Sequence, residues 1–494
     1  MSMRLTKDLY RHSLSLLTDF YQLTMAYAYW KNGISERESA FNLYFRENPF
    51  NGGYAINCGL DYLVDYLEHF QFTDSDISYL STIKSRNGDP IFEEQFLRYL
   101  SELKFRCDVD AIEEGTIVFP HEPLVRVIGP VLQCQLFETP LLNIINFQTL
   151  IATKASRIAH AAKGEPILEF GLRRAQGLDG ALAASRASYI GGCSYTSNVL
   201  AGKLFNIPVT GTHAHSWIMT FETELEAFNA YAEALPDNCV FLVDTYDTIG
   251  GIKNAIKAGK ILRSNGKEMV GIRIDSGDLA YFSQQARSML DEAGFPDAEI
   301  VASNDLDEKL IQSLKTQEAK ISVWGIGTKL VTAYDQPALG AVYKLSAIRN
   351  HDGDWVHKIK LSEQSIKVNN PGIQQVRRYF QNGKMVADMI YDIELGARTR
   401  NTIFHPVDYT KRKVLDEKSL TYCNLLKPVF REGKKVYKFP GIPAIKNKVE
   451  SEIKSIHGGI KRFENPHIFP VGLEEQLHQK KMDLIIKLRK YEND

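Results

Sequence analysis

Several short clusters in this chain bring together residue types that can handle a charged ligand. The run RIDSGD, Arg273 to Asp278, sets a cation, two carboxylates, a hydroxyl and a glycine directly after an apolar stretch. Arg273 and Asp275 share a face if the strand continues that far, because side chains two apart on a strand point the same way. An ordinary internal ion pair would use them without a ligand. A sugar phosphate suits them too: carboxylates bind ribose hydroxyls or Mg2+, while an arginine grips an acid or phosphate with two parallel bonds. GIGT, Gly325 to Thr328, offers glycines that let the backbone approach an anion. Alone it is equally a tight turn, but Ser303, Asn304 and Asp305 end the preceding apolar run, and two adjacent strand ends make a phosphate cradle. Leu330 stands where a dinucleotide fingerprint needs its third glycine, and no Gly-Lys-Ser/Thr nucleotide loop is present. EFGLRR, Glu169 to Arg174, puts two adjacent arginines at another strand end, where alternation points one inward and the other outward.

GTHAH, Gly211 to His215, has two chemical readings. On a strand, His213 and His215 share a face, which is the metal-binding geometry of barrel hydrolases. Such a site needs further histidines, and none occurs between Ser216 and Asn350. A histidine acting as a transient nucleophile towards phosphate needs only an exposed ring nitrogen and an orienting partner. Hydrogen-bonded core histidines are the plain alternative. Tyr21, in LTDFYQLTM, reads by spacing alone as a core aromatic on an amphipathic helix from Leu14 to Trp30.

These clusters need elements to hold them. Apolar, β-branched runs recur at Ile167–Phe170, Ile207–Thr210, Val240–Val243, Val270–Ile274, Ile300–Ala302 and Ile321–Trp324, each followed by a polar cluster and then a helical pattern. Spacing of roughly 30 residues fits βαβ units and predicts parallel strands with helices outside, as a barrel or an open sheet. Ligands in such folds sit at the C-terminal strand ends, where every unusual polar cluster falls. Asp179, Asp278 with Gly294, and Asp305 with Glu308 read as helix boundary signals. The region to about residue 140 reads as α+β, residues 141–345 as a barrel-like catalytic domain, and 346–494 as a region returning to the N-terminal domain plus a peripheral tail. Strand candidates in the first zone are Ala40–Phe45, Thr116–Phe119 and Leu124–Ile128.

At 494 residues the chain exceeds one ordinary core. Lys plus Arg (59) and Asp plus Glu (60) nearly cancel, so electrostatics give no reason to expect nucleic acid or an anionic membrane, and any anion site must be a local pocket. The N-terminal stretch lacks an apolar leader core and no window suits a membrane span, so a cytoplasmic setting is expected. The 6 cysteines lie far apart without a CxxC pair and read as reduced thiols, mostly in the core.

Taken in order, TDFYQLTM, EFGLRRAQGLDGALAASRA, TSN, GTHAHSW, VDTYDT, GIRIDSGDL, SNDLDE and GIGT resemble the nicotinate phosphoribosyltransferases over most of residues 15–345. The resemblance implies an irregular α/β barrel of the type II phosphoribosyltransferases beside an α+β domain, with a C-terminal extension. It implies a homodimer with active sites near the subunit boundary, acting on nicotinate, phosphoribosyl pyrophosphate and ATP with Mg2+. The family's phosphohistidine falls on His215, its nicotinate-contacting threonine on Thr212 and its nicotinate-associated arginine on Arg273. Thr328 matches the threonine associated with the phosphoribosyl phosphate. Tyr21 matches a nicotinate-pocket tyrosine that related enzymes take from the partner subunit. The middle of the family's GTxAH pattern is typically not histidine, whereas here it is His213. With this chemistry in view, Asp275 and Asp244 are the acids for ribose hydroxyls or Mg2+. Arg173 is the candidate for substrate or pyrophosphate, and Ser303, Asn304, Gly327 and Thr328 for the 5′-phosphate. A nicotinamide or quinolinate phosphoribosyltransferase, a metal-dependent barrel hydrolase and a non-catalytic binding protein are the alternatives.

Overall fold

The computed structural model describes residues 13–398, 400–416 and 418–490. Residues 1–12, the start of the stretch read for a leader, lie outside them. The chain divides into two compact units, one of residues 1–149, 338–441 and 451–494, the other of 150–337 and 442–450.

Among the described residues the first unit is built on two large sheets and a two-stranded one, Ala55–Ile56 with Ile117–Val118. A seven-stranded sheet runs Trp355–His357, Val342–Arg349, Glu38–Tyr44, Val125–Pro130, Asp108–Ile112, Leu426–Arg431, Lys434–Lys435. A six-stranded one runs Arg412–Asp416, Arg400–Phe404, Val471–Glu474, Lys384–Asp392, Gln374–Gln381, Thr421–Asn424. Ala40 pairs with Ile128 on one side and Ala347 on the other, so segments far apart in sequence share one core. The amphipathic helix starts at Phe20, not Leu14, and ends at Lys31. The reason is local: the Gln22 side chain accepts from Asp19 N at 3.2 Å, capping the helix there and leaving Leu14 and Leu17 exposed before it.

The second unit holds six strands: β1 Ile167–Glu169, β2 Tyr195–Thr196, β3 Val240–Leu242, β4 Gly271–Ile274, β5 Glu299–Asn304 and β6 Val323–Ile326. Their order is β2-β1-β6-β5-β4-β3 and every neighbouring pair is parallel. Buried residues such as Phe241, Leu242, Ile272, Ile274, Ile300 and Ala302 explain the continuous apolar runs, because helices cover such a sheet. The stretch Ile207–Thr210 does not form the expected strand; only a bridge joins Val209 to Thr196. Pro208 has no N–H to give a ladder.

Helix boundaries follow the polar residues with two adjustments. Asp278 accepts from Tyr281 N at 3.0 Å at the head of Leu279–Glu292, and Gly294 lies past its end at φ 85°. The helix Glu308–Thr316 is capped by Asp307, whose side chain accepts from Leu310 N at 2.8 Å, and not by Asp305. Asp305 N is taken by Asn304 Oδ1 in a local turn that delays the helix. Asp179 lies within the first turn of Leu178–Gly191, which Gly177 precedes at φ 80°. Among the described residues no helix is long and apolar enough to cross a membrane. Of the six cysteines only Cys423 is exposed, and none is in a disulfide.

Candidate active site

Arg273, near the end of β4, is held on three sides. Its Nε donates to Ser303 Oγ at 2.6 Å, Nη1 to Thr212 Oγ1 at 2.9 Å and Nη2 to Asp275 Oδ1 at 2.9 Å. The guanidinium carbon lies 5.4 Å from the centre of the Phe170 ring. Arg273 and Asp275 do share a face, as their spacing predicts. Ser303 Oγ also donates to Asp275 Oδ1 at 2.6 Å, so this buried hydroxyl braces both partners of the pair.

Asp244, two residues past β3, is turned inwards with its side chain only 1% exposed. Its Oδ2 accepts from Asp275 N at 2.9 Å and from Ser276 Oγ at 2.6 Å, while its Oδ1 is buried with no hydrogen-bond partner. A carboxylate oxygen left that way calls for a cation or a donor from a ligand. Facing it is His215: Nε2 lies 4.0 Å from Asp244 Oδ1 and 3.7 Å from Asp275 Oδ2. The other ring nitrogen, Nδ1, meets Thr245 Oγ1 at 3.2 Å. An oriented ring with one nitrogen directed to a half-open acidic pocket is the arrangement a phosphoryl-accepting histidine needs.

The two histidines do not share a strand face. His215 begins the short helix His215–Ile218, whereas His213 sits in the preceding irregular segment and is 8% exposed. Its ring packs edge-on to Tyr231 at 4.8 Å, and its Nε2 accepts from Leu242 N at 3.3 Å. Burial pushes its imidazole down to about 4, which keeps the ring neutral. That engaged nitrogen removes the paired-histidine metal geometry. Among the described residues no group of three or more His, Cys, Asp or Glu is arranged to hold a metal ion.

GIGT straddles a strand end: Gly325 and Ile326 close β6, Gly327 precedes the short helix Thr328–Val331, and Thr328 opens it. A Cβ on Gly325 would come within 3.0 Å of the Phe170 ring and 3.1 Å of Ser303 Cβ, so the glycine lets β6 lie close to β1 and β5. Asn304 is exposed at the adjoining end of β5. Arg173 and Arg174 are both exposed in the turn Leu172–Arg174, past the strand, so the expected inward and outward alternation does not apply. Glu169, fully buried, sets that turn, accepting from Gly171 N with one oxygen and from Ser185 Oγ at 2.8 Å and Thr196 Oγ1 at 2.6 Å with the other. Tyr21 lies in the first unit, 47% exposed on its helix and so not a core aromatic. Burial and the nearby Glu138 carboxylate raise its phenol above the usual range.

The structure gives a partner to Ser276, the hydroxyl of the RIDSGD run, and adds Thr245 and Phe170 to the residues that spacing singled out. Thr245 sits directly after a chosen aspartate, in VDT, as Ser276 does in IDS, so a rule pairing site acids with adjacent hydroxyls would have found it. Phe170 gave no signal except its place beside Gly171.

A parallel sheet whose strand ends gather a pinned arginine, two aspartates, a histidine and a glycine-opened turn is an α/β fold with a candidate site for a charged ligand. Three family models match the chain: the nicotinate phosphoribosyltransferase N-terminal domain over residues 16–146, the family itself over 166–384 and the C-terminal domain over 373–481. A nicotinate phosphoribosyltransferase of Bacillus subtilis (strain 168) is 46% identical over 484 residues, 97% of this chain and 96% of the relative. One from Caenorhabditis elegans is 37% identical over 94% of this chain and 92% of its own. Human nicotinic acid phosphoribosyltransferase superposes with a TM-score of 0.81 at 29% identity, covering 94% of this chain and 99% of that one. A nicotinate-nucleotide pyrophosphorylase from Pyrococcus furiosus, 20% identical, shares the fold at a TM-score of 0.66 over 90% of this chain and 96% of that one. The chain belongs to the nicotinate phosphoribosyltransferase family.

Proposed function

We propose that the chain joins nicotinate to the ribose of phosphoribosyl pyrophosphate, giving nicotinate mononucleotide and pyrophosphate, the first step of NAD synthesis from nicotinic acid. The observation that carries this reading is the Arg273 guanidinium held by Thr212, Ser303 and Asp275 at the strand ends, next to a histidine and the unsatisfied oxygen of Asp244. An arginine already fixed in place is a ready partner for a carboxylate.

The ring nitrogen of nicotinate carries no proton at neutral pH, so its lone pair attacks the anomeric carbon without a general base. The new C–N bond forms as the C–O bond to pyrophosphate breaks, and pyrophosphate leaves with the electron pair. What the protein supplies is placement and charge stabilisation. Arg273 and Thr212 hold the nicotinate carboxylate, and Tyr21, supplied by the other subunit of a homodimer, stacks on the ring. Asp275 binds the ribose hydroxyls. Asn304, Gly327 and Thr328 hold the 5′-phosphate, with Ser303 bracing Arg273 and Asp275 beside it, and Arg173 reaches the pyrophosphate. The buried, unpartnered Oδ1 of Asp244 near Asp275 fits a divalent cation, so these two acids would hold Mg2+. Bound there, the ion offsets the charge on pyrophosphate.

His215 takes the γ-phosphoryl group of ATP: Nε2 bonds to phosphorus, ADP departs with the electron pair, and water later releases phosphate. The two added charges beside Asp244 and Asp275 would help hold a cation there only in the phosphorylated state, and the gain and loss of those charges couples ATP use to synthesis. The reading carries a cytoplasmic setting and small-molecule substrates.

Pyrophosphate release measured with nicotinate, nicotinamide and quinolinate, with and without ATP, tests it. Strong preference for nicotinate and stimulation by ATP are expected, because an amide leaves the pocket cation unpaired. Comparable efficiency with nicotinamide removes the specificity argument, and no release with any pyridine overturns the reading. His215→Asn abolishes ATP hydrolysis while sparing some ATP-independent transfer, and His213→Asn keeps acid-labile label from γ-labelled ATP. The reverse labelling pattern moves the phosphoryl group to His213.

A further inference from the structure

The segment after β2 forms no strand, yet it lies where one would complete the sheet. On one side it pairs through main chain: Thr196 N donates to Pro208 O and Thr210 N to Thr196 O, both at 3.1 Å. On the other side stands β3, the last strand of the sheet. Val243 N, just past β3, donates to Arg273 O at 3.1 Å, towards β4. Successive amides of extended chain point to opposite sides, so Leu242 N is directed to the open edge. A neighbouring strand would meet it with a carbonyl oxygen. Here the acceptor is His213 Nε2, at 3.3 Å. A ring nitrogen that accepts from a main-chain N–H carries a lone pair, which puts the proton on Nδ1 in the neutral ring. Tyr231 and Phe228, with ring centres at 4.8 and 6.1 Å, wall the imidazole in. Among the described residues no main-chain hydrogen bond joins the segment Thr210–Ala214 to β3, so this side-chain bond is its link to that edge.

Residues on either side of His213 reach the proposed site. Thr212 accepts from Arg273 Nη1, and His215 faces Asp244 and Asp275. We infer that His213 is a positioning residue for the transfer reaction: its ring stands in for a strand carbonyl, closes the sheet between the β2 side and β3, and thereby fixes Thr212 against Arg273. The inference rests on the reading that Thr212 and Arg273 hold nicotinate. It explains how this chain accommodates a histidine at a position beside the phosphoryl-accepting one without the two competing: the first ring is engaged with the backbone, the second is open.

The test compares His213→Phe, which keeps an aromatic ring between Tyr231 and Phe228 but accepts no hydrogen bond, with His213→Gln, whose side-chain oxygen reaches the place of Nε2. Steady-state KM is measured separately for nicotinate and for phosphoribosyl pyrophosphate in the full-length protein, with thermal melting alongside. The phenylalanine variant is expected to raise the nicotinate KM about tenfold or more, with the phosphoribosyl pyrophosphate KM within about twofold, and the glutamine variant to recover most of the loss. A phenylalanine variant equal to the parent overturns the inference, because packing alone would then suffice. So does a glutamine variant as impaired as phenylalanine, or a phenylalanine variant that shifts both KM values together or fails to fold, since each of these assigns the ring to general stability. Arg273→Ala is run in parallel. If it leaves nicotinate KM unchanged, the pocket reading itself has failed; if it raises nicotinate KM while His213→Phe does not, only the positioning role has.

Discussion

Two arginines in this chain are built alike and do different things. Arg378, in the first unit, donates from Nε and Nη2 to Asp388 at 2.6 to 3.1 Å and from Nη1 to Glu452 at 3.3 Å, with its guanidinium 5.5 Å from the centre of the Phe119 ring. Arg273 likewise pairs with an aspartate and lies 5.4 Å from the centre of a phenylalanine ring. Exposure separates them: side chains of Arg378 and Asp388 are 1% and 0% exposed, those of Arg273 and Asp275 16% and 33%. Around Arg378 burial and the neighbouring Asp388 push the Glu122 carboxyl well up, and the whole cluster is shut away from solvent. Around Arg273 the same chemistry is left ajar. On the proposed reading, access is what separates the two: the Arg273 pair is part exposed and can meet a ligand, whereas the Arg378 pair is closed off.

Breaking each pair should therefore fail in a different assay. Arg378→Ala strands the buried Asp388, and such a loss costs about 3 to 5 kcal/mol of folding stability. Denaturant melts should show it, and a folded variant with unchanged midpoint would erase the distinction from the core side. Arg273→Ala should leave the midpoint nearly in place and depress kcat/KM for nicotinate by tens to thousands of fold, roughly 2 to 5 kcal/mol, part of it from the stranded Asp275. Near-normal kinetics in that variant would return Arg273 to a structural role.

A third cation sharpens the comparison. Lys481 is 1% exposed, and its Nζ donates to Asn370 Oδ1 and Pro406 O, both at 2.9 Å, with no carboxylate paired to it among the described residues. Burial lowers it from 10.5 to about 7. Between those values the unfolded chain holds a proton that the folded chain has released, so stability rises with pH across this window, by at most about 1.4 kcal/mol per unit, and is flat in this respect below it. Lys481→Met should flatten the slope of stability against pH from 7 to 10.5. An unchanged slope would mean that the buried lysine keeps its charge as the paired arginines do.

Much of this molecule is written in its local sequence. Alternating and continuous apolar runs located five of the six parallel strands, because side-chain direction on a strand depends only on the neighbouring residues. The clusters at their ends, RIDSGD, GIGT and VDT, stood out because ionisable residues beside an apolar strand need a partner or a ligand. Arg273 and Asp275 meet as their spacing requires. The start of the helix Phe20–Lys31 is legible in Asp19 and Gln22, which cap it, and the apolar pattern that runs back to Leu14 overshoots it.

What the sequence alone left open depends on bonds between distant residues. Whether His213 or His215 is exposed is decided by Leu242 N, 29 positions further along the chain, which meets the first ring and leaves the second to Thr245 and the two aspartates. Whether Arg173 alternates with Arg174 is decided by Glu169 gathering Gly171, Ser185 and Thr196 into a turn. That Ser303 braces Arg273 and Asp275 is decided by where β4 and β5 stand side by side. In each case the residue types were visible, and the hydrogen bond that assigns them crosses between elements whose meeting only the folded chain fixes.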